Sequence, residues 1–385
     1  MTVHSRTVPA DDATRSPTPL FGGLSPAQFM RRHWQKKPLL VRQAQPDAQA
    51  LFDRRMLLEL AAQEDVESRL IVHGDEGWKL RHGPFKRSQM PPFSRPGWTL
   101  LVQGVDLHLD AAHALMQRFR FVPDARLDDV MISWASEGGG VGPHFDSYDV
   151  FLLQIQGRRR WRIGRQKDLS LQPDVPLKIL TNFQPEEEYV LEPGDMLYLP
   201  PEWAHDGVAD GGECMTCSIG FRVPQRGGLA AELVQRMADE FDDETLYRDP
   251  AQSATSTPAA IPAALQDFAA DGLRRLIADR RLLACALGEV MTEPKPKVWF
   301  DEPGQDWVAG AVRLDRRTRM MYDDHHVFIN GESFRAGGAD ARLMRELADR
   351  RCLPASRVVR ASTPAQALLQ DWHDAGWLHR ADEVG

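Results

Sequence analysis

The chain has 385 residues, more than one ordinary core accommodates, so two or three domains are expected. Hydrophobic residues make up 42% and charged residues 26%, as in a soluble globular protein. A net charge of −8 excludes a nucleic-acid binder that relies on a basic surface, and it suits a basic partner. The N-terminal stretch has no apolar run, and neither a signal peptide nor a membrane span is evident, so no membrane partner is expected. Four cysteines, Cys214, Cys217, Cys285 and Cys352, are too few for a disulfide framework, and a cytoplasmic location is expected.

Residues 1–20 are polar and rich in Pro, Ser and Thr, which predicts a disordered tail. Ser25 reads as the N-cap of a short helix, PAQFMRRHWQKK, stopped by Pro38. A second helix is expected over DRRMLLELAAQE. From about residue 66 to 223 short apolar runs alternate with Gly, Pro, Asn and Asp. SRLIVH, WTLLVQGV, DVMISWAS, DVFLLQIQ, RRWRIG, EYVLE, DMLYLP and MTCSIGFRV are such runs, and the pattern suggests a sandwich or barrel. Residues 226–247 and 264–291 then look helical, with the linker SATSTPAAIPAA between them. EPKPK at 293–297 marks a further boundary. Beyond it, AVRLD and RMMYDDHHVFINGESFRA suggest a hairpin with Asn330-Gly331 as its turn. Two helical stretches follow, and together they make a small winged-helix-like unit.

The chemistry concentrates in GGGVGPHFDSYDVFLLQ and EPGDMLYLPPEWAHDGVA. On a strand, residues i and i+2 share a face, so His144 and Asp146 can bind one metal while Phe145 turns away and packs. His205 supplies a third ligand from another strand. Pro193-Gly194-Asp195 gives a tight turn, and Pro200-Pro201 stiffens the approach to that histidine. H-x-D alone is common by chance, and a lone downstream histidine is usually a surface or core residue. Together, in these contexts, they form the two-His, one-carboxylate set that holds iron(II) and leaves positions open for oxygen chemistry. Closed zinc sites prefer four Cys/His ligands, which these segments lack.

Counted as one alternating stretch from Val150 to Gly164, the odd positions from Phe151 on are apolar or glycine except Arg159, and the even positions include Gln154, Gln156, Arg158, Arg160 and Arg162, as an exposed face should. Arg159 is thus a cation on an inward face. A buried guanidinium needs an anion, either an acid from another strand or a bound carboxylate clamped in bidentate fashion. A metal triad with an inward arginine implies 2-oxoglutarate, with its keto acid end on iron(II) and its distal carboxylate on Arg159. Ser133, Thr216 and Ser218 are candidate hydroxyl donors to that carboxylate. Oxidative decarboxylation to succinate and CO2, driven by O2, would be coupled to hydroxylation of a substrate C–H bond.

SWASEGGGVGPHFDSYDVFLLQIQGRRRWRIG and LEPGDMLYLPPEWAHDGVA resemble the JmjC/cupin-type 2-oxoglutarate oxygenases, and more closely the bacterial ribosomal oxygenases. SPAQFMRRHWQKKPLLVR and SRLIVHGDEGWKLRHGPF are also similar to that group. The resemblance covers most of residues 20–225 and extends more weakly, as a domain plan, to the C-terminus. It implies a mainly β core, a double-stranded β-helix or jelly roll, over 21–225. A helical dimerisation domain over 226–292 and a winged-helix-like domain over 293–385 would follow. It implies a homodimer that hydroxylates a ribosomal protein, with an arginine β-carbon of large-subunit protein sixteen as the bacterial target. The family's cosubstrate cation stands fifteen residues after the first ligand, which is Arg159. Relatives can carry a hydroxyl residue where this chain has Ala135, which departs from that pattern.

An arginine substrate calls for a carboxylate and an aromatic surface near the iron, and Glu137 and Tyr148 are the candidates. The glycine run 138–140 lacks G-K-[ST] and leads into a metal segment, so it is no phosphate loop. It is expected to let the substrate backbone approach. Cys214-Met215-Thr216-Cys217 sends its thiols to opposite strand faces and reads as structural. His325-His326 has no partner cluster, and the acidic stretch 238–244 reads as a solvated helix end. Histidine hydroxylation or N-methyl demethylation is the alternative within the same class, and a non-enzymatic cupin scaffold is the alternative outside it. Nucleic acid is not expected as the substrate.

Overall fold

The computed structural model describes residues 14–381. It divides into two compact units, up to Val223 and from Pro224 onward.

In the first unit the strands are, in chain order, β1 (Leu39–Val41), β2 (Ser68–Gly74), β3 (Gly77–His82), β4 (Trp98–Val102), β5 (Leu127–Ala135), β6 (Val150–Gln156), β7 (Arg159–Arg165), β8 (Glu187–Leu191), β9 (Met196–Leu199), β10 (Trp203–Ala209) and β11 (Cys214–Phe221). One antiparallel sheet runs β1-β9-β6-β11-β5-β4-β2-β3, and a smaller one runs β10-β7-β8. From β6 onward the chain passes repeatedly between the two sheets, at β6–β7, β8–β9, β9–β10 and β10–β11, which winds it into a double-stranded β-helix.

Three helices, α1 (Pro26–Arg32), α2 (Arg54–Ala61) and α3 (Asp110–Gln117), accompany these sheets. Ser25 is the N-cap of α1, as its sequence predicts, and it forms a capping box with Gln28, although the helix stops at Arg32, well short of Pro38. The expected disordered tail 1–20 lies outside the described residues up to position 13. From Thr14 on, the chain is built in: Thr14 O accepts from Ala27 N, and Leu20 is buried.

Strand parity then sorts the side chains. Val130, Ile132 and Trp134 of β5, Phe151, Leu153 and Ile155 of β6, and Met215, Cys217 and Ile219 of β11 join one large core with Phe29, Leu57 and Leu115 of the helices. The opposite faces turn into the barrel, where Val150, Leu152, Trp161, Ile163 and Leu191 form a second cluster. The stretch 150–164 is therefore two strands, not one. Gly157, at φ +61°, makes the turn between them, and a Cβ there would lie 2.1 Å from Glu213 O. The inward face switches parity across that turn. Arg159 is inward as expected, but Gln154, counted among the exposed even positions, is fully buried.

The second unit contains α4 (Arg226–Asp239), α5 (Ala263–Ala278) and α6 (Arg280–Thr292), followed by β12 (Val312–Leu314), β13 (Met320–Tyr322), β14 (His326–Ile329) and β15 (Glu332–Arg335). Then come α7 (Gly338–Arg350), β16 (Cys352–Leu353), α8 (Ala355–Val358), α9 (Thr363–Asp374) and β17 (Leu378–Arg380). The single helix expected over 264–291 is broken at Asp279, whose carboxylate caps α6 through the amides of Arg281 and Leu282. Asn330-Gly331 is a turn as predicted, with both φ angles positive, joining β14 to β15. AVRLD does not join that hairpin. Its strand β12 pairs with β16 and β17 instead. The helical stretch and the hairpin share one unit. Gly288 of α6 lies against the Phe328 ring, and Thr292 Oγ1 accepts from Gly331 N.

The glycine run is explained by packing. A Cβ on Gly139 would lie 2.4 Å from Trp98 O, and one on Gly140 would lie 2.6 Å from Gly207 O. The run lets its own chain lie against β4 and β10. Gly140→Ala is expected to cost about 2 kcal/mol in urea unfolding through overpacking. Gly228→Ala in α4, with nothing within 4 Å of the added carbon, should be neutral or stabilising by up to about 1 kcal/mol in the same measurement.

Candidate metal centre

His144 and His205 form an isolated antiparallel bridge. The two residues exchange main-chain hydrogen bonds, His144 N to His205 O at 3.0 Å and His205 N to His144 O at 2.7 Å. Glu202 N donates to Asp146 O at 2.8 Å, so the turn after β9 also holds the carboxylate ligand's backbone. His144 and Asp146 do not lie on a regular strand; this cross-bridging aligns them. Phe145 is only half-buried, not packed away as expected. Gly194, at φ +94°, makes the expected turn before β9.

The donor atoms of His144, Asp146 and His205 all lie within 4.8 Å of one another. His144 Nδ1 contacts Gly142 O at 2.9 Å, and His205 Nδ1 contacts Trp203 O at 2.9 Å. A carbonyl only accepts, so each Nδ1 carries the proton and each Nε2 lone pair is free for a metal. His205 Nε2 is 3.7 Å from Asp146 Oδ2, and the imidazole rings are 4.3 Å apart. Two neutral imidazoles and one carboxylate, oriented by backbone carbonyls, fit a divalent metal with open positions. Among the described residues this is the one cluster of three such ligands, and His325-His326 is not part of any.

Burial and the neighbouring His144 push His205 down to about 4, with Asp146 only partly opposing them. Above that pH the ring is neutral, as a metal ligand must be.

Arg159 is 2% exposed. Its Nη1 donates to Ser133 Oγ at 3.0 Å and to Thr216 Oγ1 at 3.4 Å, and its Nη2 donates to Gly207 O at 3.1 Å. Its Nε is buried with no partner. Among the described residues no carboxylate pairs with it, so an acid from another strand is not the answer. The buried cation with an orphaned donor fits a ligand carboxylate.

Ser133 and Thr216 sit where the sequence places them, opposite one another in the β5–β11 register. Thr216 acts differently from expectation. Its hydroxyl donates to Gln154 Oε1 at 2.9 Å, so toward Arg159 it accepts. Gln154 is oriented by donating to Gln156 O and Gly157 O, and nothing in its sequence context marks it. Ser218 is buried on the same face but makes none of Arg159's hydrogen bonds. Ala135 packs with Ala209 and Cys214, an apolar patch where relatives can have a hydroxyl.

Tyr148 stands beside the triad. Its ring is 37% exposed, while burial of its hydroxyl end and the carboxylates of Asp146 and Asp129 push that hydroxyl's pKa upward. Asp149, fully buried, anchors the segment by accepting from Tyr198 Oη at 2.6 Å and Gln35 Nε2 at 2.9 Å. Glu137 is not brought to the triad. Its carboxylate accepts from Gly212 N, in the β10–β11 turn. Asp129, on the β5 face shared with Met131 and Ser133, is the acid near Tyr148 that sequence reading passed over.

Comparisons with known proteins agree with this geometry. Residues 114–229 match a JmjC domain, and 275–379 match a ROXA-like winged helix. The chain is 37% identical over 282 residues to the ribosomal protein uL16 3-hydroxylase of Escherichia coli K12, an alignment covering 71% of this chain and 69% of that one. The chain belongs to the ribosomal oxygenase family. A probable ribosomal oxygenase of Haemophilus influenzae is 37% identical over 54% of this chain and 52% of its own. The crystal structure of E. coli ycfD superposes with a TM-score of 0.80 at 29% identity, covering 92% of this chain and 98% of that one. Another YcfD structure, described as a ribosomal oxygenase in complex with cobalt and 2-oxoglutarate, gives 0.78 at 28% identity over the same shares. The fold is thus the JmjC/cupin jelly roll followed by a winged helix, and the protein is an iron(II)/2-oxoglutarate-dependent oxygenase.

The lowered His205 pKa sets a pH dependence for the metal-free protein. Between about 4 and the ordinary value of 6.5 the unfolded chain binds a proton on this residue that the folded chain does not. Stability should therefore fall as pH drops through that window. Urea midpoints in chelator at pH 7 and pH 5 should show the loss, and His205→Gln should flatten it.

Proposed function

We propose that the protein hydroxylates the β-carbon of an arginine in large-subunit ribosomal protein uL16, with His144, Asp146 and His205 as iron(II) ligands and Arg159 as the cosubstrate cation. The observation that carries this reading is Arg159, a buried guanidinium with neutral partners alone among the described residues. It lies on the β7 face that also carries Ile163, the register partner of His205. Arg159 and Ile163 are separated by about 13 Å of strand, a gap that an extended arginine side chain and a five-carbon dicarboxylate can span. Bound iron(II) would activate O2 with 2-oxoglutarate as the electron donor, one oxygen atom going to the substrate C–H bond and the other to succinate, with CO2 released. The chain's own residues hold and orient. Gly142 and Trp203 carbonyls fix both imidazoles, Gln154 through Thr216 and Ser133 fix Arg159, and the barrel wall excludes water.

Substrate recognition rests on Asp129 and Tyr148. A carboxylate beside an aromatic ring is the pair that recognises a guanidinium. The name of the E. coli relative, a uL16 3-hydroxylase, supports the same target. A ribosomal target supports a cytoplasmic location for the reaction.

Dimerisation through residues 226–292 is supported by apolar side chains left in solvent. Leu273 is 60% exposed and Ile277 57%, and both lie on α5, which also carries the exposed Leu265 and Phe268. A monomer rarely leaves such a stripe uncovered. Light scattering should give a dimer, and Leu273→Asp with Ile277→Asp should give a monomer.

For the substrate, ribosomal proteins from a deletion strain should be examined by mass spectrometry. Loss of a one-oxygen increment on an arginine of uL16 is expected. Loss on a histidine instead, or on no ribosomal protein, would overturn the assignment. Asp129→Asn should raise the KM for a uL16-derived peptide by about tenfold or more, as expected for losing a charge-assisted pair. The affinity for 2-oxoglutarate should be unchanged.

A further inference from the structure

The barrel contains a second orphaned donor. Trp161 Nε1 is buried and has no hydrogen-bond partner, like Arg159 Nε two residues before it. Alternation puts both side chains on the inward face of β7. The Arg159 guanidinium lies 5.0 Å from the Trp161 ring, and that ring lies 5.8 Å from the His205 imidazole. Trp161 therefore stands between the cation and the metal ligands. Its benzo edge is wedged against Gly207, where an added Cβ would lie 2.5 Å from Cζ3. That edge is opposite the pyrrole N–H, so Nε1 is turned away from the β10 backbone.

A buried indole N–H without a partner costs about 1–3 kcal/mol, and native proteins rarely leave one unexplained. A tryptophan is a poor choice for mere filling at this position, because an apolar side chain would pack without that cost. We infer that Trp161 is a cosubstrate-binding residue whose indole N–H donates a hydrogen bond to an oxygen of bound 2-oxoglutarate. This rests on the cosubstrate site proposed above. A dicarboxylate running from the triad to Arg159 passes Trp161, and it brings acceptor oxygens to a wall that otherwise offers none to this group. Gly207 then has two functions. It leaves room for the indole, and its carbonyl accepts from Arg159 Nη2.

The direct test is nuclear magnetic resonance on the full-length protein with ¹⁵N-labelled tryptophan and zinc(II) in place of iron(II). On adding 2-oxoglutarate, the Trp161 indole N–H resonance should move downfield. A resonance that stays in place while others respond would overturn the inference. Binding of 2-oxoglutarate to the zinc(II) form, measured by calorimetry, gives a second readout. Trp161→Phe keeps an aromatic ring in the notch and removes only the donor. It should weaken binding by about tenfold, the loss of a hydrogen bond to a charged group. Arg159→Ala separates the two levels of the argument. If it leaves 2-oxoglutarate affinity unchanged, the cosubstrate reading itself fails. If it weakens binding while Trp161→Phe does not, only the role of Trp161 fails.

Discussion

The reciprocal main-chain hydrogen bonds between His144 and His205 are the constraint on which the site depends. They join a segment outside any regular strand to the edge of the small sheet. Both imidazoles are thereby brought to one place from distant parts of the chain. The glycines at 139 and 140 allow the approach by lying against Trp98 O and Gly207 O. Glu202 adds the third tie, to Asp146. The ligand set is thus positioned by backbone, and the ligand side chains have only to complete it.

From that bridge the rest of the barrel interior follows in order. His205 pairs with Ile163, and Ala209 pairs with Arg159, so the metal end and the cation end are fixed by one antiparallel register. Neutral groups surround the cation: two hydroxyls, a carbonyl and an indole face. A neutral shell orients a guanidinium without discharging it, which leaves its electrostatic attraction available to a ligand.

Much of this was legible in the chain. The triad, Arg159, Ser133 and Thr216 could be named because metal ligands and an inward cation are chemical exceptions within apolar patterns. The N-cap at Ser25 and the Asn330-Gly331 turn were legible because they are local. What was missed depends on long-range register. Gln154 reads as an exposed polar residue until the turn at Gly157 is seen to switch the inward face. Asp129 is an unremarked acid until β5 is set beside Tyr148. Glu137 has suitable chemistry in a suitable loop, and its carboxylate accepts from the backbone amide of Gly212. No periodicity count contains that contact. The glycine run was recognised as significant, but its packing was not legible, because the neighbours it accommodates are far away in sequence.

The carbonyls of Gly142 and Trp203 have a consequence for how such a scaffold can change. Every amino acid has a carbonyl, so the orientation of both imidazoles does not depend on the identity of the residues that provide it. Side chains elsewhere around the site can be exchanged without retuning the inner coordination geometry. Target preference and oxidative chemistry are thereby separately inherited properties of one barrel. New substrates become accessible to it by a few substitutions at the rim.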